Sequence, residues 1–220
     1  MRMKERIGRR DEGLPSRGKV EAGFSMIELM ITMTLMLIVA GIALPQYIRA
    51  MHTSKLRGVA SDFSGLVQVV RIRAVQDGKY YSLQTSNIQN LGYVDLNANG
   101  AFDAGEPSIP TSPEVTIIAA ANAPATANLK GQFLPTGSAI TVYDGGPLAT
   151  PLTPITFGSR GIPCKTQTAT GGTVCESGGG AIPFWIFFRN TISGEQEAVT
   201  VNPAGRVRKW YYGGGAWNGI

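Results

Sequence analysis

The chain has 220 residues, 43% of them hydrophobic and 16% charged, with a formal charge of +5 and a mean hydropathy of +0.02. That length suits one domain of about 100–200 residues plus an appendage, and the composition excludes wholesale disorder while leaving a membrane or assembly role open. One histidine and two cysteines are too few for zinc clusters or Cys/His dyads, and no nucleophile or orienting acid stands near His52 in a recognisable pattern, so the chain reads as a non-enzyme.

Residues 1–23 carry Arg2, Lys4, Arg6, Arg9, Arg10, Arg17 and Lys19 against Glu5, Asp11, Glu12 and Glu21. Seven bases less four acids make +3 of the total +5, so a chain without this leader keeps +2, too little for a basic nucleic-acid coat. Phe24–Ile48 follows as an apolar run long enough to cross a hydrocarbon core of about 30 Å as a helix. By the positive-inside rule the leader stays cytoplasmic and the remainder lies beyond the inner membrane, against the weaker opposition of Arg49, Lys55 and Arg57. The small residue Gly23 precedes the apolar run, whereas a secretory signal places its small-residue cleavage site after it. Glu28 is a carboxylate inside the run, at about 2.5–3.5 kcal/mol near mid-bilayer. It reads either as a snorkelling interfacial acid or as the partner of an ammonium that cleavage after Gly23 creates on Phe24.

The segment Gly23-Phe24-Ser25-Met26-Ile27-Glu28, with bases before it and an apolar run containing Pro45 after it, resembles the class III signal of type IV pilins and pseudopilins. The resemblance implies cleavage between Gly23 and Phe24 by a prepilin peptidase, methylation of the new amine, and pairing of Glu28 with Phe24 during assembly. It implies as partners other major and minor pilins or pseudopilins and an inner-membrane assembly platform. The leader is longer than many members of that family show.

Beyond the membrane run, Ile48, Met51, Leu56, Val59, Phe63, Leu66, Val70 and Ala74 recur mostly at three- and four-residue spacing, which predicts an amphipathic continuation over 49–78, ending near Asp77-Gly78. A helix over 24–77 would be about 80 Å long, bent at Pro45. Strand-like runs follow at 79–86, 92–95, 115–119, 139–142, 154–157, 184–190, 198–202 and 206–211, separated by Gly, Pro and Asn turn signals. The predicted fold is α+β: one long N-terminal helix on antiparallel sheets, a lollipop with a β-rich head over 79–220. The glycine-rich SGGGA and YYGGGAWNG read as flexible turns. The segments LRGVASDFSGLVQVVRIRAVQDGKYYSL, ITFGSRGIPC and EAVTVNPAGRVRKW are similar to the helix end, the Phe-x-x-x-Gly strand and the closing Gly-Arg strand of the GspH/FimT minor pilins and pseudopilins. Residues 107–150 carry no matching motif.

Three features carry possible chemistry. Asp95, Asn97, Asn99, Ala101, Asp103 and Glu106 occupy the ligand positions of a twelve-residue calcium loop, with Gly100 at the turn. No helix pair flanks it, so calcium binding competes with a plain Asx-rich turn, and no cofactor is required. Cys164 and Cys175 are spaced for a disulfide in an oxidising compartment, worth about 2–3 kcal/mol, with free thiols as the alternative. Arg206, Arg208 and Lys209, followed by Trp210, Tyr211 and Tyr212, combine cations and stacking aromatics, and Arg206 and Arg208 share a side if the segment is a strand. Either this is a charged edge that deters aggregation or, as the resemblance of Gly205, Arg206 and Arg208 to a Gly-Arg-x-Arg motif implies, a double-stranded DNA contact in uptake.

Overall fold

A computed structural model describes residues 23–86, 91–124, 126–133, 142–144, 154–169, 172–175 and 181–220. The leader up to residue 22, nearly all of the 139–142 strand and Ser177–Gly180 of the SGGGA turn lie outside the described residues. The chain forms two compact units, Met1–Leu44 and Pro45–Ile220.

Helix α1 runs over Met26–Asp77. In its first unit the side chains are all exposed, and the hydroxyls of Thr32 and Thr34 satisfy themselves on the carbonyls of Leu29 and Met30 at 2.9 and 2.8 Å. This keeps the apolar surface free of unpaired hydroxyls. The helix stops at Gly78, whose φ of +64° lets Lys79 N–H reach back to the Ala74 carbonyl at 3.2 Å, a Schellman end that glycine adopts without strain.

After α1 come β1 (Tyr81–Ser86), β2 (Leu91–Asp95), β3 (Ser108–Pro110), β4 (Val115–Ile118), α2 (Thr126–Phe133), β5 (Tyr143–Asp144), β6 (Ile155–Phe157), β7 (Pro163–Cys164), β8 (Thr166–Ala169), β9 (Gly172–Cys175), β10 (Phe184–Asn190), β11 (Gln196–Val201), β12 (Val207–Gly213) and β13 (Ala216–Gly219). Sheet A has the order β3-β2-β1-β6-β7, sheet B the order β13-β12-β11-β10-β4, and β8 pairs with β9. All pairings are antiparallel except the two-residue contact of β5 with β10.

In the second unit α1 buries Leu56, Val59, Ala60, Phe63, Leu66, Val67, Val70 and Ala74 against Leu83, Val94 and Phe157 of sheet A and Ile186, Phe188 and Val199 of sheet B. The predicted stripe is thus present, but it begins at Leu56: Ile48 and Met51 are 46% and 40% exposed because neither sheet reaches them. The opposite face of sheet B holds a second cluster of Phe187, Ala198, Trp210 and Trp217 with Leu129 of α2.

The segment read as a flexible YYGGGAWNG turn is instead an ordered hairpin. Gly213 pairs with Ala216 around a two-residue loop in which Gly214 and Gly215 have φ of +64° and +80°, the left-handed pair that matches strand twist. Trp217, on the returning strand, is then buried beside Phe187.

Candidate functional site

Gly23 and Phe24 precede the first helical turn, and Glu28 lies within it. Phe24 is 79% exposed, and so is the surface behind it: α1 contains an 18-residue window of mean hydropathy 2.3, none of it buried, long and apolar enough to cross a membrane. Pro45 sits inside α1. A continuous apolar helix surface with one carboxylate near its start must be covered by lipid or by other protein, since water would cost about 25 cal/mol for each Å2 exposed.

The second unit grips the start of its own part of α1 with acids from sheet B and its loops. Glu114 accepts from Lys55 Nζ at 2.7 Å and lies 2.9 Å from His52 Nδ1, and its carboxyl is held below the ordinary range, first by the Lys55 bond and then by His52. Thr53 Oγ1 donates to Glu195 at 2.8 Å. Arg57 Nε is 3.6 Å from Oε1 of Glu197, whose side chain is only 3% exposed. His52 therefore has an acid partner that sequence distance had hidden, but the pair is shared with Lys55 and ties α1 to the loop before β4. Glu197 was also missed, although a signal exists: Glu197, Val199 and Val201 alternate on one strand face, which puts an acid on the apolar side.

The loop from Asp95 to Glu106 closes on itself. Asp95 accepts from Gln84 Nε2 at 2.8 Å, Gly100 N at 2.9 Å and Asn99 N at 3.3 Å, while the oxygens of Asn97 and Asn99 accept from Asn99 N and Ala101 N at 3.1 and 2.8 Å. Asp103 takes the amide groups of Asn97 and Asn99 at 2.7 and 2.6 Å. Glu106 takes Leu96 N and Asp103 N at 2.8 and 3.0 Å. These oxygens thus accept from backbone and amide donors, most of them within the loop itself. Among the described residues no group of three or more His, Cys, Asp or Glu side chains is placed to hold a metal ion. Tyr93 closes the loop from below with its hydroxyl on the Gly100 carbonyl at 3.1 Å, and its own ionisation is pushed up by burial and then by Asp95, Glu106 and Asp103.

Because Asp95 is 2% exposed and accepts from Gln84 Nε2 and Gly100 N, Asp95→Ala should leave those two donors unpaired, while Asn99 N keeps Asn97 Oδ1, and cost about 2–3 kcal/mol. Thermal unfolding in the presence of a chelator checks this: a drop of about 5–10 °C is expected, and an unchanged midpoint would mean that the network carries no stability by itself.

Cys164 of β7 and Cys175 of β9 are joined by a disulfide, with Cα atoms 5.5 Å apart, enclosing the β8–β9 hairpin. Gly205 is fixed by packing. Its φ is +78°, a Cβ there would lie 2.8 Å from the Gly161 carbonyl oxygen, and its own carbonyl accepts from Arg71 Nη1 at 3.0 Å. Gly161, at φ +70°, abuts Val75 and the same Arg71. The Gly-rich segments after β6 and β11 therefore meet on one arginine of α1.

Arg206 lies before β12, not within it, with its N–H on Asn202 Oδ1 at 2.8 Å. Arg208 turns away from α1 and stacks over Trp210, 5.0 Å from the ring centroid. Lys209, on the α1 side, donates to Ser61 at 2.8 Å. The basic residues thus do not present two arginines from a single strand face. Arg206 and Lys209 contribute to one wall of a shallow cleft of about 470 Å3 whose other wall is Ser61, Ser64, Gly65 and Gln68 of α1.

Residues 18–44 match the family model described as the prokaryotic N-terminal methylation motif. No curated protein matches the chain by sequence. Among solved structures the chain is similar to the minor pseudopilin EpsH from the type 2 secretion system of Vibrio cholerae, at 12% identity and a TM-score of 0.40, over 70% of this chain and 95% of that one. Gly23, Phe24 and Glu28 all fall within the matched residues, and the chain bears a prokaryotic N-terminal methylation motif on a long exposed apolar helix whose continuation packs on two β-sheets.

Proposed function

We propose that this chain is a minor pilin or pseudopilin, a structural subunit of a type IV pilus or a type II secretion pseudopilus. The observation that carries the reading is the methylation motif placed directly on an apolar helix with no cover of its own. A prepilin peptidase cuts after Gly23 at the cytoplasmic face, and the new Phe24 amine is methylated. The helix waits in the inner membrane with the head on the periplasmic side, where a disulfide between Cys164 and Cys175 persists. It then transfers from lipid to the apolar helices of other subunits, a step that changes its solvent little because both surroundings are apolar. The test is the intact mass of membrane-extracted protein. A chain starting at Phe24 and one methyl group heavier is expected; an intact leader, or cleavage after Ala43, would remove the reading.

A second reading, a double-stranded DNA receptor in uptake, is favoured by the cleft between α1 and β12, where Arg206 and Lys209 face serine hydroxyls. Phosphates attract such a wall without regard to sequence. Weak binding, micromolar or looser at low salt, is expected in a gel-shift titration. Arg206→Ala with Lys209→Ala should weaken it, each lost phosphate contact lowering the log–log salt slope by about 0.9. Identical titrations for wild type and double variant would leave a structural subunit only.

A further inference from the structure

Glu197 is the one acid whose side chain packs within the contact between α1 and sheet B with an oxygen left unused among the described residues. It stands on β11 with Val199 and Val201, both buried against the helix. Oε2 has no hydrogen-bond partner, and the Arg57 guanidinium stops 3.6 Å from Oε1, beyond hydrogen-bond range. Arg57 is 59% exposed and keeps much of its water. Lys209, two residues along β12 from the register partner of Glu197, spends its short contact on Ser61. A buried carboxylate that lacks donors is a costly group, and a carboxylic acid in the same place costs much less.

The position of this cluster gives it a role. Leu56 is the first buried residue of α1, so Arg57 and Ser61 belong to the first turns of the helix that the head holds. We propose that the Glu197–Arg57–Lys209 cluster is a proton-sensitive joint fastening those first packed turns of α1 to sheet B, tightest when Glu197 carries its proton and loosened when it does not.

The groups around Glu197 account for its titration. Burial is the largest influence and raises its carboxyl, Arg57 from α1 and Lys209 from β12 pull it back, Glu195 from the loop before β11 pushes it up, and the balance stands at about 7. Its neighbours in register are Phe188 on β10, which is apolar, and Tyr211 on β12. Because the folded chain holds this proton more tightly than the unfolded chain, whose carboxyl has the ordinary value of 4.5, the contribution is full below pH 4.5, declines above it and is lost as pH rises through about 7. Glu114, held below the ordinary range by Lys55 and His52, acts in the opposite sense and only in acid.

The experiment is thermal unfolding of the full chain in detergent micelles between pH 5 and 8.5. The wild-type midpoint should fall by several degrees across that range, with its inflection near pH 7. Glu197→Gln should flatten this component and raise the midpoint at pH 8.5. Arg57→Gln should move the inflection to higher pH, because removing a cation makes ionisation harder, a displacement that a merely structural loss would not produce. Carbon-detected NMR titration of the Glu197 carboxyl in the wild-type chain gives an answer even if a variant fails to fold. A midpoint below 5, or parallel pH profiles for wild type and Glu197→Gln, would overturn the proposal.

Discussion

Cells producing Glu28→Ala in place of the wild-type chain should hold normal amounts of cleaved subunit in the membrane and lose about nine-tenths or more of it from the sheared filament fraction or the pseudopilus. The substitution makes the helix more apolar, so insertion is eased by about the 2.5–3.5 kcal/mol that a carboxylate costs near mid-bilayer. Assembly moves the other way. On the proposed processing, a Phe24 ammonium passing from the lipid interface to the interior of a helix bundle would need an opposite charge, and deleting one partner of a buried pair costs about 3–5 kcal/mol. That exceeds the factor of ten for each 1.4 kcal/mol needed to deplete the assembled state. Immunoblots of membrane and sheared fractions decide it. Equal incorporation of both chains would remove the pairing of Glu28 with Phe24.

The second large effect lies where α1 meets sheet A. Phe63 is fully buried, packs edge-on to Phe188 with centroids 5.0 Å apart, and sets the outer end of its ring against Gly92 of β2, so a Cβ at Gly92 would overlap ring carbons Cζ and Cε2. Phe63→Ala should cost about 3–5 kcal/mol through lost burial and the cavity left behind. Gly92→Ala should cost about 1–3 kcal/mol through overpacking. The informative variant is the pair: Phe63→Leu with Gly92→Ala should recover part of the loss, because a smaller side chain makes room for the new methyl group. Denaturant unfolding of the four chains yields the coupling, expected at about 1–2 kcal/mol. Strict additivity would show that Gly92 is glycine for some reason other than the ring.

The parts of this molecule legible in its sequence are those written within a few residues. The methylation motif is a local string, and the span of α1 follows from an unbroken apolar run continued by a three- and four-residue repeat. Strands such as β10 and β4 show as β-branched and aromatic runs between turn residues, so the class of fold was also readable. The tail hairpin was misread because its glycines look the same in sequence whether they are loose or held at positive φ; pairing of Gly213 with Ala216 distinguishes the two. Helix α2 lacks an apolar repeat strong enough to announce it, and Leu129 is buried only because sheet B offers Trp217 and Phe187 nearby. The calcium-loop spacing was equally visible, yet spacing does not say whether oxygens face a shared centre or their own backbone.

What only the tertiary structure decided are the contacts between residues far apart in the chain. Arg71 bonds to Gly205 across 134 positions and Lys209 to Ser61 across 148, and neither residue carries a local mark of its partner. Sheet order supplies them: β11 and β12 pass beneath α1, so Glu197 is buried within 3.6 Å of Arg57 and the basic tail becomes one wall of a cleft with α1 serines as the other. Short-range periodicity fixes which side of an element is apolar, because side-chain direction repeats every 3.6 or 2 residues. Which element that side meets is settled by long-range packing, and so are the charge state of Glu197 and the surroundings of Arg206 and Lys209.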